Sequence, residues 1–222
     1  MRIACLHTAE SNIAVFDAAA RELGIPPDVL RHEVRADLLA AAEGAGGLTA
    51  DIADTTRLEL LSLAQSADAV VLTCSTLGAS VDTIAANSRA PILRTDGALA
   101  AAAARAGGRI VALCAVETTI DPTSRLFFDA VQQSEATVEV QLVPEAWVMF
   151  KAGDLDGYLA TIAKAADGAY ASGASIVALA QASMSGAAAL VSAGPRPLGS
   201  PTVGLAAALE AASRHLGLGA MS

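Results

Sequence analysis

Two kinds of apolar pattern alternate along the chain. Short runs rich in Val, Ile and Leu are typical of strands that are covered on both faces. These runs occupy residues 3–6, 69–73, 110–116, 138–143 and 176–180. Longer stretches between them have apolar residues at helical spacing, at 13–23, 52–66, 81–87, 99–106, 122–134 and 155–172. The alternation predicts β–α–β units, and therefore an α/β protein with parallel sheets.

The strand and helix series starts again halfway along the chain, after the pair Gly107-Gly108. A weaker strand over 29–34 is predicted at a sheet edge, and the tail at 203–215 is predicted to be a helix. The pattern therefore indicates two similar Rossmann-like lobes, residues 1–97 and 98–200, with a C-terminal helix (202–216) that returns to the first lobe.

Composition narrows the class of partner. The 14 Lys and Arg against 23 Asp and Glu give a formal net charge of −9, and no basic cluster offsets it. The charge therefore argues against a surface that binds nucleic acid and against one that binds an anionic membrane. A small anionic substrate stays open, because local backbone N–H groups bind carboxylates even on an acidic protein.

The three cysteines, at positions 5, 74 and 114, are odd in number and far apart. This spacing argues against a disulfide framework and against a zinc site, and it favours a reducing cytoplasm. No G-x-G-x-x-G motif, phosphate-binding loop or H-E-x-x-H motif occurs, so neither a nucleotide mechanism nor a zinc mechanism is predicted. The uncharged stretch 168–195 is interpreted as a strand and a buried helix, without a membrane span.

Ligands of open parallel sheets bind beyond the carboxyl ends of the strands. Small hydroxyl-bearing residues are frequent at the four ends that the pattern predicts. The candidate site residues there are His7, Thr8 and Glu10; Cys74, Ser75 and Thr76; Glu117, Thr118 and Thr119; and Gln181, Ala182 and Ser183.

Cys74 is the main candidate for chemistry. It follows the buried run AVVLT and opens a turn, where a helix start is expected to lower the thiol pKa. The alternative is an inert, small apolar residue at a strand end. Cys5 and Cys114 lie inside predicted strands and are interpreted as core residues.

His7 is the second candidate, since it lies beside Cys74 if strands one and three are neighbours. Its imidazole is then able to accept the thiol proton, and the alternative is a histidine bonded to a local backbone group. Glu10 and Glu117 are read as carboxylate bases or as residues favoured near helix starts. Gln181 is either a ligand contact or a satisfied buried amide. His32 and His215 are assigned no role.

Three segments together resemble the aspartate/glutamate racemase superfamily, which includes hydantoin racemases, maleate isomerases and arylmalonate decarboxylases. The segments are ADAVVLTCSTLG around Cys74, RIVALCAVETTIDPTSRLF in the middle and GASIVALAQASMSG near the end. The resemblance implies two lobes related by a pseudo-two-fold axis, an active site in the cleft between them, no cofactor and a homodimer. It also implies that Ser75, Thr76, Thr118 and Thr119 bind a substrate carboxylate.

Racemases of this superfamily place one cysteine at each of two strand ends. Cys74 matches the first position, whereas Gln181 stands at the second, and an amide is no acid or base near neutral pH. His7 and Thr8 replace an aspartate and a serine, and Ser183 replaces a histidine.

These departures favour a cofactor-independent isomerase or lyase that acts on a small carboxylate or carbonyl compound through Cys74. Three alternatives stay open: a racemase that uses His7, Glu10 or Glu117 as second base; a thioester-forming hydrolase with a Cys74–His7 pair; and a binding protein without catalysis.

Overall fold

The computed structural model describes residues 1–84 and 88–217. It contains two four-stranded sheets in which every described strand pairing is parallel. The strands are β1 Ile3–His7, β2 Leu30–Val34, β3 Ala69–Leu72, β4 Ile92–Arg94, β5 Arg109–Cys114, β6 Thr137–Leu142, β7 Ile176–Leu179 and β8 Leu198–Gly199. The α-helices are α1 Ser11–Glu22, α2 Ala36–Gly44, α3 Ala50–Ala64, α4 Thr95–Ala106, α5 Ile120–Val131, α6 Ala146–Lys151, α7 Leu155–Ala171 and α8 Ser200–His215. The predicted α/β class with parallel sheets is confirmed.

The chain divides into two compact units. Unit 1 comprises Met1–Ala98 and Pro201–Ser222, and unit 2 comprises Leu99–Ser200. The strand order is β2-β1-β3-β4 in unit 1 and β6-β5-β7-β8 in unit 2. The two sheets therefore have the same topology, with each unit's first strand next to its third.

The central strands are apolar because helices cover both of their faces. In unit 1, β1 and β3 are buried at every position, and one face packs against α2 and α3 through Ala4, Leu6, Leu60 and Leu72. In unit 2, β5 and β7 pack against α7 in a core that includes Tyr158 and Ile162. Within the described ranges, no helix has both the length and the apolar character that crossing a membrane requires.

Side-chain caps start two of the longer helices where the sequence supplies the right residues. The Thr49 hydroxyl accepts a hydrogen bond from the Ile52 N–H at the start of α3, and the Asp154 carboxylate accepts one from the Gly157 N–H at the start of α7. Each bond satisfies an N–H group that has no partner inside the helix.

The structure corrects the predicted elements in three places. The predicted strand at 138–143 corresponds to β6, which is an edge strand with no buried residue and with Thr137, Glu139 and Leu142 exposed. The helix predicted at 81–87 is absent over 81–84, and residues 85–87 lie outside the described part of the chain. A 3₁₀ helix, Ser75–Ser80, stands just before it. Short elements with weak periodicity, β4, β8, α2 and α6, were missed.

Gly194 provides a stability test in unit 2. It has a φ of +67°, and a Cβ there falls 2.5 Å from two ring carbons of Tyr170. Tyr170 is fixed in place by the hydrogen bond that the Val177 N–H donates to its hydroxyl. Gly194→Ala is expected to cost about 1–2 kcal/mol for the left-handed backbone and about 1–3 kcal/mol more for overpacking.

Gly153 is the matched control, because its φ of +80° is similar but its Cβ meets nothing within 4 Å. Gly153→Ala is expected to cost only the backbone penalty of about 1–2 kcal/mol. Urea unfolding of both variants measures the difference. Equal losses of unfolding free energy would show that the Tyr170 contact has no energetic weight.

Candidate functional site

The carboxyl ends of β1 and β3 lie side by side in unit 1. The strands pair in parallel up to Leu6 and Leu72, and the Thr73 N–H then donates to the Leu6 carbonyl at 3.1 Å. This pairing confirms that the first and third strands are neighbours. It brings the segment that begins at Thr8 close to the segment that begins at Cys74.

Cys74 is half-buried, has an extended backbone and directly precedes the 3₁₀ helix Ser75–Ser80. Burial raises the pKa of its thiol above the ordinary value. The hydroxyls of Thr8 and Thr76 and the N–H groups of Leu77 and Thr76 act in the opposite direction but do not outweigh burial. The prediction of a lowered thiol pKa is therefore wrong. The reason is that a six-residue 3₁₀ helix offsets little of the cost of desolvating a thiolate.

The hydroxyl groups predicted around Cys74 differ in exposure. Thr8 is buried, whereas Ser75 and Thr76 are partly exposed in the first turn of the 3₁₀ helix. Glu10 is exposed at the start of α1, and its side chain makes no capping hydrogen bond there. The thiol therefore has one buried hydroxyl neighbour, and the two hydroxyls that follow it in the chain are reachable from solvent.

His7 is fully buried, and both of its ring nitrogens have side-chain partners. Nδ1 lies 2.9 Å from the Thr73 hydroxyl and Nε2 lies 2.8 Å from Nδ1 of His32. Burial, followed by the neighbouring His32, lowers the pKa of His7 to about 4, although Asp17 acts in the opposite direction. The structure does not form the predicted Cys74–His7 pair, because the two ring nitrogens of His7 face Thr73 and His32 instead.

His32 had been assigned no role, yet it connects His7 to Asp17. Its Nε2 lies 3.2 Å from the Asp17 carboxylate, which projects from α1. Position 32 lies on the edge strand β2, between Arg31 and Glu33. The register Cys5↔His32 nevertheless places it on the face of the sheet that carries Cys5 and His7.

Arg94 is a second residue that sequence reasoning missed. It ends β4, is 12% exposed, and forms a two-bond ion pair with Asp96 and a further pair with Asp82. A Cβ on Gly78 would lie only 2.2 Å from its guanidinium, so the cation packs directly on the 3₁₀ helix after Cys74. The sequence carries no signal for this residue, because the three-residue strand β4 that it ends was itself not predicted.

In unit 2, Gln181 occupies the place that Cys74 has in unit 1. Its side-chain oxygen accepts hydrogen bonds from the N–H groups of Ala115 (2.6 Å) and Val116 (3.2 Å). The amide thus joins the end of β7 to the end of β5, and its NH₂ group is the part left to donate to a ligand. Of the two readings of Gln181, the side-chain oxygen therefore follows that of a satisfied buried amide.

The other predicted residues of unit 2 fall into two groups. Glu117 and Thr118 are exposed, whereas Thr119 is buried and donates its hydroxyl hydrogen to the Val116 carbonyl at 2.6 Å. Ala182 is buried, and the Ser183 hydroxyl lies 2.8 Å from the Tyr158 hydroxyl. Two of the predicted hydroxyl groups are thus engaged in local structure.

The features together define an α/β protein with two parallel-sheet units and a cysteine at one strand end. The model of the Asp/Glu/hydantoin racemase family matches residues 8–209, nearly the whole chain. The protein belongs to this family of racemases, which are isomerases, as the sequence resemblance indicated. A comparison with curated proteins gave no match.

Solved structures of racemases share the fold. An aspartate racemase homologue from Pyrococcus horikoshii OT3 has a TM-score of 0.69 and 15% identity, covering 96% of this chain and 99% of its own. The aspartate racemase of Picrophilus torridus has a TM-score of 0.66 and 12% identity, and the match covers 97% of each chain. The allantoin racemase of Pseudomonas fluorescens has a TM-score of 0.56 and 15% identity, and the match covers 98% of this chain and 92% of its own. At identities this low, the matches show that the fold is shared and nothing further.

The Thr8 hydroxyl should lower the pKa of Cys74 and so offset part of the effect of burial. Thr8→Val keeps the side-chain shape but removes a hydrogen-bonding group that favours the thiolate, so the thiol pKa is expected to rise further. Alkylation by iodoacetamide, followed across pH by mass spectrometry of the Cys74 peptide, measures the shift. Ser75→Ala is the control and should leave the midpoint unchanged. A midpoint that stays in place in Thr8→Val would contradict the assigned contact.

The Gln181 oxygen should stabilise unit 2. Gln181→Leu leaves the N–H groups of Ala115 and Val116 without their acceptor, so a loss of about 1–3 kcal/mol of unfolding free energy is expected. Gln181→Glu keeps an acceptor oxygen and should lose less. Denaturant unfolding of the two variants tests this, and the opposite order would contradict the role of the oxygen.

Proposed function

We propose that the protein is a cofactor-independent isomerase or lyase that transfers a proton at the carbon next to a carboxylate or carbonyl group of a small molecule. Cys74 is the acid/base residue. The observation that carries the proposal is a half-buried thiol at the carboxyl end of β3, beside the Thr8 hydroxyl, in a chain of the Asp/Glu/hydantoin racemase family.

The raised pKa of Cys74 suits a resting acid. A thiol that keeps its proton at neutral pH is ready to protonate a carbanion, whereas a free thiolate has no proton to give. When the proton leaves, the Thr8 hydroxyl and the Thr76 and Leu77 N–H groups stabilise the thiolate. Cys74 can therefore work in both directions, which an isomerase requires.

The partly exposed hydroxyls of Ser75 and Thr76 supply donors for a carboxylate oxygen. A carbanion next to a carboxylate delocalises into an enediolate, and hydrogen-bond donors that face the developing charge lower the barrier. The substrate class that fits is accordingly a small carboxylate or a close carbonyl analogue. Gln181 and the exposed Thr118 are proposed as further ligand contacts.

Two-base racemisation is a second candidate, supported by the family and by the racemase structures that share the fold. It needs a group that can take the place of the second thiol. His7 is disfavoured because burial lowers its pKa to about 4 and its two nitrogens face Thr73 and His32. Glu10 and Glu117, both exposed, are the remaining candidates for that role.

Cys74→Ala is expected to abolish proton transfer, because no other thiol follows β3. The variant and the wild type are incubated in D₂O with both enantiomers of aspartate and glutamate, a substituted hydantoin, maleate and an arylmalonate, and followed by proton NMR. A reactive compound should lose its C–H signal or form product at least ~10²-fold faster with the wild type. Cys114→Ala, which changes a buried cysteine in unit 2, is the control and should keep the rate.

The pattern of deuterium incorporation separates the two candidates. Exchange at one face, without formation of the other enantiomer, supports the single-thiol reaction, whereas deuterium in both enantiomers supports a second base. Undiminished turnover in Cys74→Ala would disprove the role of the thiol. Tight binding of a ligand without turnover would favour a binding protein, and a covalent thioester on Cys74 would favour hydrolysis.

A further inference from the structure

A cluster of three donor atoms lies on one face of the unit 1 sheet. Cys5 and His7 are two positions apart on β1, so their side chains point to the same face of the sheet. His32 on β2 is the register partner of Cys5 and shares that face. The Cys5 sulfur and one nitrogen from each histidine all lie within 4.8 Å of one another. The proposed function uses none of these three side chains.

The hydrogen bonds around His7 fix which of its nitrogens carries the proton. The Thr73 hydroxyl donates its hydrogen to the Leu6 carbonyl at 3.0 Å, so toward His7 the same oxygen acts as an acceptor. Nδ1 of His7 is therefore the N–H donor, and the lone pair of Nε2 points at His32. This side of the cluster presents a free lone pair.

His32 is oriented in the same way by Asp17. A carboxylate accepts hydrogen bonds, so Nε2 of His32, at 3.2 Å, carries the hydrogen that faces Asp17. In a neutral ring, Nδ1 then bears a lone pair, and it faces Nε2 of His7 at 2.8 Å. Two imidazole lone pairs facing each other repel unless a cation lies between them, and that cation is either a proton or a metal ion.

We propose that Cys5, His7 and His32 form a binding site for a divalent metal ion of the Zn²⁺ type. The third donor decides between the two cations, because a shared proton needs two nitrogens whereas a metal ion also uses the sulfur. Two imidazoles and one thiolate form a ligand set of borderline softness, which suits Zn²⁺. Coordination replaces the S–H bond of Cys5 with a sulfur–metal bond and releases one proton to solvent.

The surroundings match those of a metal centre. The carboxylate of Asp17 behind His32 and the hydroxyl of Thr73 behind His7 are the outer partners that orient imidazole ligands. In tetrahedral zinc sites the donor atoms are separated by about 3.3–3.6 Å, so the two rings need to move apart by roughly half an ångström. His32 is 15% exposed on the edge strand β2, which offers the ion a route from solvent.

Unit 2 provides an internal comparison. The residues at the equivalent register positions are Ala112, Cys114 and Val140, and among them only Cys114 retains a soft donor. The ligand set is therefore specific to unit 1 and is not a consequence of the fold.

Titration of the tag-free protein with Zn²⁺ alone, followed by calorimetry, tests the proposal, with Co²⁺ as the spectroscopic probe. One ion per chain is expected, and the Co²⁺ complex should show tetrahedral d–d bands and a sulfur-to-metal charge-transfer band. Cys5→Ser and His32→Gln should each weaken binding at least ~100-fold, and Asp17→Asn about 10- to 100-fold. Zn²⁺ should also raise the Tm of the wild type but not of His32→Gln.

Cys114→Ser and His215→Gln are the matched controls, one for each ligand type, and should bind as the wild type does. Circular dichroism of each metal-free variant checks that it folds. The Co²⁺ spectrum of the wild type tests the sulfur ligand even if Cys5→Ser does not fold. Wild-type protein that binds no Zn²⁺, or binding that survives in His32→Gln, would overturn the proposal and leave a shared proton between the histidines.

Discussion

The parallel pairing of β1 with β2 and β3 is the constraint on which the chemistry of unit 1 depends. Its register places Cys5 opposite His32 and Leu6 opposite Leu72, and it leaves Thr8 and Cys74 just beyond the carboxyl ends of the paired strands. A shift of one residue would turn every side chain of β1 to the opposite face. The apolar Ala4 and Leu6 oppose such a shift, because they fill the core against α2 and α3.

Thr73 connects this backbone frame with the polar groups. Its N–H and its hydroxyl both donate to the Leu6 carbonyl, and the hydroxyl oxygen also receives the Nδ1–H of His7. The residue is buried, so none of these bonds competes with water. The orientation of the His7 ring is thereby determined by the same bonds that hold β1 to β3.

The sequence was sufficient for the parts that depend on long apolar patterns. The α/β class and the repeated strand and helix series followed from runs of Val, Ile and Leu that alternate with helical spacing. The neighbouring positions of β1 and β3 were only a condition for the Cys74–His7 pair, and the pairing in the structure meets that condition. The pKa of Cys74 and the partners of His7 did not follow, because they depend on burial and on residues distant in the chain. His32 lies 25 positions from His7, and Asp17 reaches it from α1. No spacing motif encodes that arrangement.

The two units show how one fold position acquires different chemistry. The Thr73 N–H donates to Leu6, and the Ala180 N–H donates to Leu113, so Cys74 and Gln181 are equivalent positions at the ends of equivalent strands.

In each unit this side chain contacts the residue that follows the first strand's end. Cys74 meets the Thr8 hydroxyl, and Gln181 accepts from the Ala115 N–H. An amide supplies a fixed acceptor and two fixed donors, whereas a thiol supplies a proton that can leave. Gln181 thus holds β5 to β7 without any change of charge, and at this position of the fold only unit 1 carries a side chain with a proton that can leave.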